Sequence, residues 1–148
     1  MNMKHNLDSS PLKEFAESIE ERMKSALTAV ASDGAADMVR RVQAGKDIKD
    51  QSMGSYSSPS YIKKRQEKGK QTKVKDLSFT GRMLGSLHAL PVVKEGDRLV
   101  ANITITDARS KKIGLYNQKR IPWFGFSPNN MKQVQESLKE QIAIALEG

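Results

Sequence analysis

The fold depends on the stretch Arg120-Ile-Pro-Trp-Phe-Gly-Phe-Ser-Pro-Asn-Asn-Met131, which holds the only tryptophan and two of the four phenylalanines. Ser127 is a good N-cap, because its side-chain oxygen can accept a hydrogen bond from an N–H group of the first helical turn. Pro128 follows at the first helical position, where its missing N–H group costs nothing. The aromatic residues are therefore held against a helix with a defined start. They belong either to the core or, in part, to an interface between subunits, where aromatic side chains supply much of the binding energy.

Length and composition limit the class of protein. A chain of 148 residues predicts one domain, residues 1–148, large enough to bury a core without disulfides or metal. It has no cysteine, so neither a disulfide framework nor a thiolate site can form. No apolar run approaches the ~20 residues that cross a bilayer, and the polar residues 1–10 lack the apolar core of a signal peptide. We expect a flexible N-terminus, no membrane partner, and a soluble protein that is used inside a cell or packaged from there.

The net charge of +8 is concentrated in one segment. Residues 61–75 have a net charge of +6, with Glu67 as the only acid. Their basic residues are Lys63, Lys64, Arg65, Lys68, Lys70, Lys73 and Lys75. In residues 46–76 the apolar residues do not recur at a regular spacing, and turn-forming residues are frequent. This pattern predicts a long basic loop or arm, with room for one helical turn at 61–66. Two interpretations are possible. The segment is either a solvated loop without a ligand, or an arm that contacts a polyanion. The polyanion would be an acidic partner surface or the phosphates of a nucleic acid, and binding to the latter would be nonspecific and sensitive to salt.

Apolar spacing predicts the remaining elements. Steps of three and four residues predict a long first helix from about Pro11 to Ala44, with Gly45 as its C-terminal stop, although Asp33-Gly34 could divide it. A second helix is expected within 77–90, with Thr80 as a candidate N-cap and Pro91 as its end. Residues 92–107 read as a β-hairpin with a turn at 95–97, and residues 121–126 as a third, edge strand. The predicted fold class is α+β: a long N-terminal helix, a second short helix, a small antiparallel sheet of three to four strands and a C-terminal helix.

The residues that usually carry catalysis are missing from the pattern. The two histidines, His5 and His88, have no metal-ligand spacing, and no cysteine nucleophile exists. His88 and Ser86 would not face each other on a helix, because residues two apart point in different directions. The glycines form no phosphate-binding loop after a strand. We therefore expect neither an enzyme nor a cofactor.

Four features, in their order and spacing, resemble a known family. They are the long N-terminal helix, the loop Tyr56-Ser-Ser-Pro-Ser-Tyr-Ile-Lys-Lys-Arg65 with its basic run, the segment Leu77-Ser-Phe-Thr-Gly-Arg-Met-Leu-Gly-Ser-Leu87, and the stretch 120–131 that leads into the last helix. Together they resemble the phage virion morphogenesis family, also called tail completion proteins, of contractile-tailed phages. The resemblance covers residues 11–146.

The resemblance implies a small α+β domain whose copies close into a ring, often of six, at the tail end or neck of the virion. Such a ring would terminate the tail tube or sheath and join it to the head connector, with phage DNA passing through its lumen. A ring needs two unlike patches that meet on neighbouring copies. The candidates for these patches are Phe15, Ile19, Ile121, Trp123, Phe124 and Phe126, and the basic residues of 63–75 are candidates for the lumen or DNA. The alternative function is a small nonspecific nucleic-acid-binding protein.

Overall fold

The structure is a computed structural model that describes residues 8–78 and 80–147. Within this part of the chain, three helices precede a run of four short strands, and two helices follow it, which confirms the α+β class. The elements of the described residues are α1 (Ser10–Gln43), α2 (Pro59–Glu67), α3 (Arg82–Gly85), β1 (Leu87–Ala89), β2 (Val93–Glu95), β3 (Arg98–Val100), β4 (Ile103–Ile105), α4 (Ala108–Arg120) and α5 (Pro128–Glu147). In these residues no helix is both long and apolar enough to cross a membrane.

The long first helix is confirmed as one continuous element. α1 has 34 residues, which corresponds to about 51 Å. Gly34 does not interrupt it; the glycine lets the Phe126 ring approach, since a Cβ there would lie 2.9 Å from Phe126 Cζ. The helix ends at Gln43, one residue before the predicted end, and the predicted stop Gly45 follows with a φ of +78°, which favours glycine.

α5 packs antiparallel to α1 and leaves the start of α1 uncovered. Arg22 Nη1 donates to the Ala145 carbonyl at 3.3 Å, and Ser137 Oγ donates to Asp33 Oδ2 at 3.2 Å. Because Ala145 is close to the end of α5, the first turns of α1 extend past it. Residues 10–17 are all exposed.

The strands form two separate antiparallel pairs and not one sheet. β2 pairs with β3 through the turn at Gly96 (φ +62°), which confirms that part of the predicted hairpin. β4 pairs instead with β1, with Leu87 opposite Ile105. The prediction of helix over Leu87 and His88 is therefore wrong. Leu87 is buried and His88 exposed, which is the alternation of a half-buried strand.

The predicted third strand at residues 121–126 is also wrong. The preceding residues, for which the sequence predicted no element, form α4, and Asp107 caps this helix by accepting a hydrogen bond from Ser110 N at 2.9 Å. Residues 121–126 are irregular. Their backbone is held by the Gln118 side chain, whose Oε1 accepts from Trp123 N at 2.9 Å and from Phe124 N at 3.0 Å. This side chain replaces a strand partner.

Trp123 lies at the centre of the core. Its side chain is 1 % exposed and packs with Met38, Val42 and Met83, while Nε1 donates to the Gly114 carbonyl at 3.1 Å. Trp123 is thus a core residue, and its assignment to a subunit interface is corrected. The four remaining members of the buried cluster are Met53, Leu84, Leu87 and Ile105.

The helix start at Ser127 is confirmed. Asn130 N donates to Ser127 Oγ at 3.1 Å, and Ser127 N donates to Asn130 Oδ1 at 3.3 Å. Each of the two side chains therefore accepts a hydrogen bond from the backbone N–H group of the other residue. The buried Arg41 of α1 donates to the same Asn130 oxygen at 2.5 Å and to the Gly125 and Trp123 carbonyls. Burial lowers the pKa of Arg41. One arginine therefore ties the stretch 120–131 to the long helix.

Candidate functional site

The segment 46–76 is an ordered structure that closes around Arg65. Arg65 lies in α2 and is 0 % exposed. Its Nη2 donates to both carboxylate oxygens of Asp76 at 3.2 Å, Nη1 donates to the Ser78 carbonyl at 2.8 Å, and Nε donates to the Gln71 carbonyl at 2.8 Å. Its guanidinium also lies 4.5 Å from the centre of the Tyr56 ring. The one helical turn expected at 61–66 is a longer helix, α2, and the prediction that Arg65 faces a lumen or DNA is wrong because its side chain is buried.

Tyr56 completes this buried cluster. Its hydroxyl donates to Asp76 Oδ1 at 3.0 Å and accepts from Asp76 N at 3.2 Å. Burial raises the pKa of Tyr56 to about 12, and the nearby Asp76 carboxylate acts in the same direction. The hydroxyl therefore stays protonated at neutral pH and keeps donating. Tyr56, Arg65 and Asp76 are called the arginine clasp below.

The other predicted basic residues do lie on the surface. Five are exposed and Lys75 is half-buried, and none of the six forms an ion pair with a described residue. The exposed residues are Lys63, Lys64, Lys68, Lys70 and Lys73. They are accessible to a polyanion, and contact with DNA stays a prediction.

A groove of about 840 Å³ separates the clasp from α4. Its described lining includes four cationic side chains and no carboxylate. These cations are Lys75, Arg82, Arg109 and Arg120. We call this feature the basic groove. Its apolar lining comes from Leu77, Met83, Ile113 and Ile121, so the groove joins a partly apolar floor to a positive rim.

The positive wall of the groove follows from the sequence of α4. This helix carries five cations and no acid. Arg109 and Arg120 are eleven residues apart, which places them on one face and about 16 Å apart along the axis. Both are exposed, and neither forms an ion pair with a described residue. The wall therefore presents two unneutralised charges.

Arg82 is held differently. Its Nη2 donates to Asp107 Oδ1 at 2.9 Å, and this carboxylate also caps α4. Hydrogen bonds from Ser110, followed by the one from Arg82, lower the pKa of Asp107 to about 2. Asp107 thus fixes the start of α4 beside Arg82.

The predicted interface residues lie in two distant places. Phe15 is 63 % exposed on the uncovered start of α1, and Ile19 is half-buried one turn later. Ile121, Phe124 and Phe126 are half-buried and pack against the core. Of these three, Ile121 also lines the basic groove. The two predicted patches are therefore not one surface.

Neither the groove nor the arginines of α4 were predicted from the sequence. Residues 108–120 contain no acid, and Arg109 and Arg120 have a spacing of three helical turns, so this signal was readable once the segment was recognised as a helix. Leu12 was also missed as a surface residue: it is 72 % exposed and lies beside Phe15.

No protein-family model, curated protein or solved structure matches this chain. Membership of the phage virion morphogenesis family stays a prediction from the resemblance of its segments.

Proposed function

We propose that this chain is a structural virion protein of the head–tail junction of a tailed phage. Copies assembled in the host cytoplasm form a ring of six at the neck or tail end. The ring completes the tail tube or sheath, docks the head connector and lets DNA pass through its lumen. The protein acts by its shape and its contacts and performs no chemical step.

The observation that carries the proposal is that the chain has two unlike exposed surfaces. One is the uncovered start of α1, with Leu12 and Phe15 exposed. The other is the basic groove with the adjoining α4, where Ile113, Leu115 and Tyr116 are 44 %, 58 % and 61 % exposed. A head-to-tail interface joins two different patches and closes into a ring when the rotation between copies allows it.

The test is native mass spectrometry of the purified chain over a range of concentrations. We expect a closed oligomer of one size, six copies, to grow at the expense of the monomer, because a closed ring satisfies every interface at once. A chain that stays monomeric at every concentration, or that forms an unlimited ladder of sizes, contradicts a closed ring.

A second candidate, nonspecific nucleic-acid binding, is favoured by the five exposed lysines of residues 63–73. They lie in a segment with a net charge of +6. This function requires binding to duplex DNA of any sequence that weakens steeply with salt, because each phosphate contact releases counterions. A gel shift at several salt concentrations measures it, and a chain that shifts no DNA at low salt does not have this function.

A further inference from the structure

We propose that the basic groove holds the acidic start of α1 from a second copy of this chain. The inference rests on the proposed ring and names the two surfaces that would meet. The occupant is a neighbouring copy, and each copy would offer its helix start to one neighbour and its groove to the other.

The start of α1 has the charge and the apolar groups that such a groove would take. Residues 8–21 contain five carboxylates and one lysine. Two of the acids, Glu14 and Glu17, are exposed and form no ion pair with a described residue. Leu12 and Phe15, three residues apart, form one apolar face that has no described residue to cover it.

This apolar face continues the buried stripe of α1. Val30, Ala26 and the half-buried Ile19 lie at helical spacing from Phe15 and Leu12, but α5 covers only the later residues. Two large apolar side chains that extend a core stripe beyond the body leave apolar area that association would remove from water.

The groove complements this helix start. Lys75, Arg109 and Arg120 are cations without an ion pair to any described residue, and they surround the partly apolar floor of Ile113 and Ile121. The exposed residues 10–17 make about two turns, or 12 Å, which fits within the ~16 Å between Arg109 and Arg120. Opposite charges would select the partner and its orientation, and apolar contact would remove Leu12 and Phe15 from water.

The chain's own helix start cannot fill its own groove. Met38 of α1 belongs to the same buried cluster as Met83, which lines the groove. Leu12 precedes Met38 by 26 residues, which is about 39 Å along a continuous helix. A copy of the chain therefore presents the two complementary surfaces far apart, and the contact must form between copies.

A nucleic acid is the competing occupant, since phosphates would also pair with the cations. A phosphate backbone would leave the apolar floor of the groove without a partner, and it would do nothing for Leu12 and Phe15. The start of α1 would cover the apolar floor of the groove and would also remove Leu12 and Phe15 from water. The observations therefore favour the helix start over a nucleic acid.

The test is a charge exchange. One variant reverses the groove, Arg109→Glu with Arg120→Glu, and the other reverses the helix start, Glu14→Lys with Glu17→Lys. We expect each variant alone to lose at least about tenfold in self-association affinity, measured by sedimentation velocity, because like charges would then face each other. An equal mixture of the two should regain assembly, since each chain then offers a surface that complements the other.

The matched control is Lys111→Glu with Lys119→Glu, which makes the same charge change on the same helix at exposed positions outside the groove lining. It should self-associate as the unaltered chain does. Regained assembly in the mixture also shows that both reversed chains are folded.

The inference is overturned if the groove-reversed chain assembles normally, if the control loses as much affinity, or if the mixture does not assemble. It is also overturned if groove reversal abolishes a DNA gel shift while assembly persists, because the groove would then hold nucleic acid. In each of these cases the unaltered chain still assembles and the proposed ring survives. An unaltered chain that never assembles overturns both.

Discussion

At the scale of single residues, Arg65 shows that burial decides whether a cation is available to a ligand or stabilises the fold. In the sequence it is one of seven cations in a short run. In the structure it is the one cation of that run with no exposed surface, and its guanidinium is fully engaged by Asp76, two backbone carbonyls and the Tyr56 ring. A lysine could not reproduce this contact set, because it lacks the planar fork of donors.

We predict that Arg65→Ala destabilises the fold by about 3–5 kcal/mol, because removing one partner of a buried pair leaves Asp76 without its countercharge. The measurement is chemical denaturation followed by circular dichroism. The control is Lys64→Ala, at the preceding and exposed position, which should change stability by no more than about 0.5 kcal/mol. Equal denaturation midpoints for the two variants would mean that the clasp does not stabilise the segment.

The basic run could be predicted from the sequence, but the burial of its arginine could not. Nothing in the local spacing separates Arg65 from Lys64, since the difference comes from Asp76 and Tyr56, which reach it only after the chain has turned back. The burial of Trp123 could not be predicted either. Its place in the core depends on α1 and α4, and the local stretch fitted a core and an interface equally well.

At the scale of elements, α4 is the one long helix of the described residues that the sequence did not predict. Gly114 and the polar residues around it concealed the helix, because glycine lowers helix propensity. The structure explains why glycine occupies position 114 in this helix. A Cβ at Gly114 would lie 2.6 Å from Ile105 Cδ1 and 3.2 Å from Trp123 Cζ2, so a side chain there would have to displace both neighbours in the core.

The long helices were predictable because their apolar period persists over many turns and their ends carry capping residues. The short strands were not, because three residues carry too little pattern to separate β1 from the end of a helix. Pairing with β4 makes residues 87–89 a strand, and β4 lies about sixteen residues further along the chain.

We predict that Gly114→Ala destabilises the protein by about 1–2 kcal/mol, since crowding of Ile105 and Trp123 exceeds the gain in helix propensity. Gly85→Ala is the control: this glycine also lies in a helix, but a Cβ there would meet nothing within 4 Å. It should be neutral or stabilising by up to about 1 kcal/mol. Thermal melting of both variants provides the comparison, and a Gly114→Ala chain as stable as the unaltered one would show that the close approach is not required.

At the scale of the whole molecule, the chain is electrically asymmetric. Residues 8–21 of the helix start are acidic, whereas residues 61–75 and α4 are strongly basic. The charge of the basic segment was visible in the sequence, but its position beside α4, and the distance from both to the start of α1, required the fold. This asymmetry is what a head-to-tail assembly would use.

The proposed function is tested most directly by whether the protein is part of a phage particle and where in the particle it lies. If the proposal holds, a phage encodes this chain, and a gold-carrying antibody against the purified chain can be applied to intact particles of that phage and located by electron microscopy. We predict label at the junction of head and tail and none along the tail shaft. Particles without label, or label spread over the head or the shaft, would contradict a role in the neck.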